Sequence, residues 1–165
     1  MHVLLATDAR WLADDLVAAL GDEETSFTVV SEGREVARQM ARAAKDGAAT
    51  GGSPFDLGIF DLQIGTMGGI AVTMALRLDA SAGTLPSIPV IMLLDRIADV
   101  HLAKRSGANG WLIKPLDPLR IRRAVRAVLD GGSYTEGLVM PQPAVEPAVV
   151  ATEVGSAGSE LAPAG

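Results

Sequence analysis

Phe55-Asp56-Leu57-Gly58-Ile59-Phe60-Asp61-Leu62 is the stretch on which the reading of the chain turns. Leu57-Gly58-Ile59-Phe60 is a short, unbroken apolar run that stops at an acid. Strands buried on both faces read this way, whereas half-solvated strands alternate apolar and polar residues. The same form recurs at Val3-Leu4-Leu5-Ala6, which ends at Thr7-Asp8, and at Phe27-Thr28-Val29-Val30. It returns at Ile88-Pro89-Val90-Ile91-Met92-Leu93-Leu94 and at Trp111-Leu112-Ile113, closed by Lys114-Pro115. Pro89 lies in the first turn of its strand, where a missing N–H is tolerated.

Helical spacing fills the intervals. Trp11, Leu12, Leu16, Val17 and Leu20 recur on one face before Gly21, and Val36, Met40 and Ala43 mark a second helix. Gly65-Thr66-Met67-Gly68-Gly69 leads into a third, carrying Ile70, Met74 and Leu78. A short helix around residues 97–106 ends at Gly107. A last one, over about 117–130, places Ile121, Ala124, Val125 and Val128 together before Gly131-Gly132. Residues 47–53 and 80–87 read as loops, the former longer than its connection needs.

Five strand-then-helix units of this length predict an α/β protein, a (βα)5 doubly wound fold with helices on both faces of a parallel five-stranded sheet. Right-handed crossovers leave the flavodoxin-like order 2-1-3-4-5 as the natural arrangement. Strands one and three are then neighbours at the switch point, and their carboxyl ends bring Asp8 and Asp61 together. The pattern places this domain at residues 1–131. From 132 to 165 the chain becomes a disordered, acidic, Pro/Ala/Val/Glu-rich tail that cannot bury a core of its own. It is too short and too poor in basic charge for a DNA-binding output unit.

Totals narrow the function. The chain has 165 residues, 48% of them apolar, and a net charge of −6. It has no cysteine, and only His2 and His101 as imidazoles, which excludes thiolate chemistry and a zinc-type cluster. All its Lys and Arg residues lie at or before Arg126, while Glu136, Glu146, Glu153 and Glu160 lie beyond it. Neither portion reads as a nucleic-acid binder. The expectation is a cytoplasmic protein with no secretory leader and no membrane-spanning run.

Asp8, Asp61 and Lys114 ride the carboxyl ends of strands one, three and five. A carboxylate there can attack a phosphoryl donor and form an acyl phosphate. Two nearby carboxylates invite a hard divalent cation, typically Mg²⁺. Such a cation and an ammonium together neutralise the transferring oxygens.

Over residues 2–130 these segments resemble the response-regulator receiver family, of the chemotaxis-regulator type. The resemblance rests on Val3 to Asp8, Phe55 to Leu62, Gly69 eight residues past Asp61, and Pro89 to Leu93. Its most specific part is Gly107-Ala108-Asn109-Gly110-Trp111-Leu112-Ile113-Lys114-Pro115-Leu116-Asp117. It implies a phosphoacceptor at Asp61, metal ligands at Asp8, Asp61 and the Gln63 backbone carbonyl, and a phosphoryl contact at Lys114. It also implies a cis Lys114-Pro115 bond, where sequence alone favours trans. The partners implied are a sensor histidine kinase or small phosphodonor, and an output protein whose identity the sequence does not give. A homodimer through the face of helix 4, strand 5 and helix 5 is a further implication. The domain so described is a stand-alone regulatory phosphoacceptor of two-component signalling, not an enzyme, beyond self-phosphorylation and autodephosphorylation.

Four positions depart from the family pattern. Thr7 replaces the first of two adjacent acids, removing one metal charge. Leu94 stands where a Ser or Thr hydroxyl meets the phosphoryl group, and Asp95 replaces a small residue beside it. Gly65 replaces the usual Pro four places beyond the phosphoacceptor. Several readings therefore stay open. Asp8 serves as a metal ligand, as a cap for the first helix, or as both. Trp111 is either the family's rotating switch aromatic or a packing residue. Arg120, Arg122, Arg123 and Arg126 form a solvated face or a partner surface. The whole domain is either a weakened phosphoacceptor or an atypical pseudo-receiver that binds protein without phosphorylation. A flavodoxin-like ligand binder is the third alternative, although Ala6-Thr7-Asp8-Ala9-Arg10 offers no glycine-rich phosphate cradle.

Overall fold

The computed structural model describes residues 1–47 and 55–137. Most of the predicted 47–53 loop and all of the tail from residue 138 lie outside that range. Five strands are present: β1 (His2–Ala6), β2 (Ser26–Val30), β3 (Leu57–Asp61), β4 (Val90–Leu94) and β5 (Gly110–Ile113). They alternate with α1 (Arg10–Leu20), α2 (Gly33–Gly47), α3 (Gly69–Ser81), α4 (Val100–Ser106) and α5 (Pro118–Leu129). All pairings are parallel, in the order β2-β1-β3-β4-β5. The doubly wound architecture expected from the apolar runs is the one observed.

The period of two along each strand sorts its side chains into two layers. Val3, Leu5, Leu57, Ile59, Ile91, Leu93 and Leu112 face Leu12 and Leu16 of α1 and Ile121 and Val125 of α5. On the other side Leu4, Ala6, Phe60 and Val90 meet Val36 and Met40 of α2 and Val72 and Leu76 of α3. Met92, Leu94 and Trp111 continue that layer under Val100 and Ala103 of α4. β3 and β4 are buried at every position, which is why their sequences show no polar alternation. β2 is an edge strand with only Val30 buried.

Local chemistry sets the ends of the elements. Asp117 caps α5 by accepting from the N–H groups of Leu119 and Arg120, both at 3.0 Å, and Pro118 begins the helix. The segment after β4 opens with a single 3₁₀ turn, Ile97–Asp99, and α4 then closes at Gly107 with φ at +83°. The Lys114-Pro115 bond is cis. Among the described residues no helix is long and apolar enough to cross a membrane.

The sequence placed the end of the ordered unit at Gly131, and here the structure differs. Ser133 to Gly137 follow α5 back to the outer edge of β5, where Tyr134 forms a parallel bridge with Gly110. Periodicity could not reveal this segment, because hydrogen bonds rather than an apolar stripe attach it.

Candidate phosphoacceptor site

Register builds the site. Ala6 pairs with Phe60, so the next residues, Thr7 and Asp61, stand level at the carboxyl ends of β1 and β3. Leu94 pairs with Ile113, so Asp95 and Lys114 stand level one step further across the sheet. The crevice between these ends is the switch point of the topology.

Asp61 is 2% exposed, yet each of its oxygens is satisfied. Oδ1 accepts from Lys114 Nζ at 2.7 Å and from the Gln63 N–H at 3.3 Å. Oδ2 accepts from the Thr7 hydroxyl at 3.1 Å. Burying a carboxylate without such partners would cost several kcal/mol, about the scale of the domain's net stability. Lys114 is shared, since its ammonium also donates to Asp95 Oδ1 at 3.1 Å. Burial pulls the Lys114 pKa down, but hydrogen bonds and charge from Asp61 and then Asp95 outweigh it. The ammonium is held above the ordinary lysine range. An ammonium has three donors, so one remains for a phosphoryl oxygen.

Asp8 sits differently from Asp61. It is exposed, and its Oδ2 lies 3.5 Å from where a β-carbon on Gly65 would stand, so it overhangs the β3–α3 loop. It does not cap α1: the residue at the cap is Ala9, whose N–H bonds the Thr7 hydroxyl at 3.2 Å. The capping alternative for Asp8 is therefore wrong, because Thr7 holds the turn and leaves Asp8 facing outward. Among the described residues no three His, Cys, Asp or Glu side chains are grouped to hold a metal. With Thr7 in an acid's place, the ends of β1 and β3 carry two carboxylates, Asp8 and Asp61. That oxygen set suits Mg²⁺, which keeps several of its waters, better than a metal that needs an all-protein cage.

Leu94 and Trp111, two of the positions expected to act as switches, are packing groups. Leu94 is fully buried with Met92, Val100, Ala103 and Trp111, and offers no hydroxyl to the crevice. Trp111 is 3% exposed, and its indole N–H donates to the Glu136 carbonyl at 2.8 Å. Asp95 supplies a second carboxylate to Lys114, adding negative charge beside the ammonium.

Sequence reasoning missed the network around Glu136. Arg120 Nε donates to Glu136 Oε1 at 2.8 Å, and its Nη2 pairs with Oε2. The same guanidinium donates to the carbonyls of Ile113 and Pro115, at 2.9 and 2.8 Å, on either side of Lys114. Burial pushes the Glu136 carboxyl up. The Arg120 bond and the Ile113 N–H more than reverse this, and it titrates below the usual carboxylate range. Of the four arginines read as one stripe, Arg122 instead ties α5 to α1 through the Ala19 carbonyl at 2.8 Å.

Known proteins share this chain's sequence pattern and fold. The profile of the response regulator receiver domain matches residues 3–126. The response regulator protein PmrA of Pseudomonas aeruginosa is 29% identical over 142 residues, 86% of this chain and 57% of that protein. The DNA-binding response regulator MtrA of Mycobacterium tuberculosis is 28% identical over 130 residues, 78% of this chain and 50% of that protein. The chain thus spans about half the length of the curated relatives it matches. In fold it is similar to the chemotaxis response regulator CheY4 of Vibrio cholerae, with a TM-score of 0.59 at 23% identity over 77% of this chain and 97% of that one. Profile, relatives and fold agree: the chain belongs to the response regulator receiver domain family of two-component systems.

Proposed function

We propose that this receiver accepts a phosphoryl group on Asp61 and passes the signal on by protein–protein contact. The observation that carries the reading is the 2.7 Å contact between Lys114 Nζ and Asp61 Oδ1 at the rim of a buried strand end. One carboxylate oxygen of Asp61 attacks the donor's phosphorus and forms an O–P bond. The donor's P–N bond breaks if it is a kinase phosphohistidine, or its P–O bond if it is acetyl phosphate. The leaving imidazole or acetate takes the electron pair. Lys114 keeps its ammonium charge against the phosphoryl oxygens throughout. Asp8, Asp61 and the Gln63 carbonyl would hold Mg²⁺, which when bound supplies the remaining charge neutralisation. The Thr7 hydroxyl orients Asp61 without adding charge.

Thr7, Leu94 and Asp95 make this a slow site. Each missing charge or hydroxyl removes roughly 1–3 kcal/mol of transition-state stabilisation, about tenfold to a hundredfold in rate. The same residues support a second reading, in which the domain binds its partner in one conformation regardless of phosphate. Beryllofluoride with Mg²⁺ tests between them. It is expected to shift the amide signals of Asp61, Gln63 and Lys114 in wild type and to leave Asp61→Asn unmoved. Identical spectra for both proteins with and without the probe would favour the second reading.

A further inference from the structure

The outer edge of β5 is a built site rather than a bare strand. Its outward N–H groups are those of Trp111 and Ile113. The first donates to the Tyr134 carbonyl at 2.9 Å, and the second to Glu136 Oε2 at 2.8 Å. The Trp111 indole N–H takes the Glu136 carbonyl, and Arg120 grips the Glu136 carboxylate. The carboxylate is thus bound by a guanidinium and a backbone N–H together, an arrangement that selects an acid over a neutral side chain.

The contacts also specify neighbours. Tyr134 and Glu136 are two residues apart, so both turn toward the domain while Ser133 and Thr135 stay exposed. Tyr134 packs against the core layer under α1 and α5. Gly137 has φ at +69°, and a β-carbon there would lie 2.5 Å from Ile97 Cγ1. The edge therefore reads the order aromatic, any residue, glutamate, glycine.

We propose that the β5 edge with Arg120 is a recognition site for an extended Tyr-x-Glu-Gly segment, filled in cis by Tyr134 to Gly137, which must be released before a partner protein carrying the same chemistry docks there. The cis segment is held by two half-buried side chains and a few hydrogen bonds, beyond the Gly131-Gly132 link, so it opens without unfolding the core. Strand addition to an exposed sheet edge is an established mode of peptide binding, with side-chain pockets supplying selectivity. Because Arg120 also holds the carbonyls flanking Lys114, occupation of this edge and the placement of Lys114 share one guanidinium. The site stands whatever the chemistry at Asp61.

Trp111 reports on the site, and replacing exposed Trp11 with Phe leaves Trp111 as the single tryptophan of the full chain. The probe is a blocked synthetic peptide of residues 133–137. A segment tethered by a short link competes at an effective concentration of roughly millimolar. Trp11→Phe alone should therefore show no change in Trp111 fluorescence at micromolar peptide. Adding Glu136→Gln should lengthen the emission wavelength of Trp111 and raise the apparent affinity for the peptide by about tenfold or more. A peptide with Gln for Glu should bind at least tenfold more weakly. Gly137→Val, which clashes with Ile97, should open the site in the same way and guards against a folding defect in the first variant. The proposal is overturned if either opened variant shows the altered Trp111 emission but does not bind the peptide. It is equally overturned if neither substitution alters Trp111 emission, or if the Gln peptide binds as well as the Glu peptide.

Discussion

Replacing Lys114 with alanine is expected to destabilise the domain by about 2–3 kcal/mol and to slow phosphoryl acceptance by about a hundredfold. Both effects come from the same ammonium. In the resting domain it donates at 2.7 Å to a carboxylate that is almost wholly buried, and the Thr7 hydroxyl and Gln63 N–H that remain carry no charge. Removing one partner of a buried ion pair is costly mainly because the other charge stays behind. In the proposed transfer the ammonium faces the phosphoryl oxygens, and no second lysine or arginine is hydrogen-bonded to Asp61 among the described residues. The sign of the pH dependence separates this from a packing effect. The folded pKa of Lys114 is raised, so its stabilisation is complete below the unfolded lysine value of about 10.4 and is lost as pH rises through the folded value. Urea unfolding of wild type and Lys114→Ala should therefore differ by a constant amount near neutral pH. The gap should close at strongly alkaline pH. A pH-independent gap would assign the loss to the aliphatic stem.

Gly69→Ala should be the most damaging small substitution near the site, costing about 2–3 kcal/mol. Gly69 is the first residue of α3 and its N–H bonds the Leu62 carbonyl at 3.2 Å, so the helix starts against the end of β3. An added β-carbon would lie 2.5 Å from the Asp61 carbonyl oxygen and 3.1 Å from its carbon. Neither is the tip of a flexible side chain, so α3 or the β3 terminus must move. Alanine elsewhere in a helix is favourable relative to glycine by up to about 1 kcal/mol, which makes a loss here diagnostic of the close approach. The check is a urea midpoint together with amide shifts at Asp61 and Gln63. An unchanged midpoint would mean that the two elements are not in contact as described.

The layout of the sheet was legible because every central strand is buried on both faces. Leu57 to Phe60 and Val90 to Leu94 had to be continuous apolar runs, and turn residues bound each of them. Asp61 and Lys114 were legible for a related reason: a charged residue immediately after such a run marks a strand's carboxyl end. The relation between Thr7 and Asp8 was not legible. Both follow β1, and only register shows that Thr7 stands level with Asp61 while Asp8 projects toward Gly65. Glu136 was hidden more deeply. It lies in a stretch without periodicity, and its partners Trp111, Ile113 and Arg120 come from β5 and α5. Arg120 itself read as one member of a charged stripe, since nothing in its spacing distinguishes a gripped guanidinium from a solvated one.

Whether Asp61 is the nucleophile is read from the position of the modified residue. Wild type and Asp61→Asn would be incubated with Mg²⁺ and acetyl phosphate, reduced with borohydride, and sequenced by mass spectrometry. Borohydride converts an aspartyl phosphate to homoserine, so homoserine is expected at position 61 in wild type and nowhere in Asp61→Asn. Homoserine at another acid, or none in wild type with any donor, would contradict it.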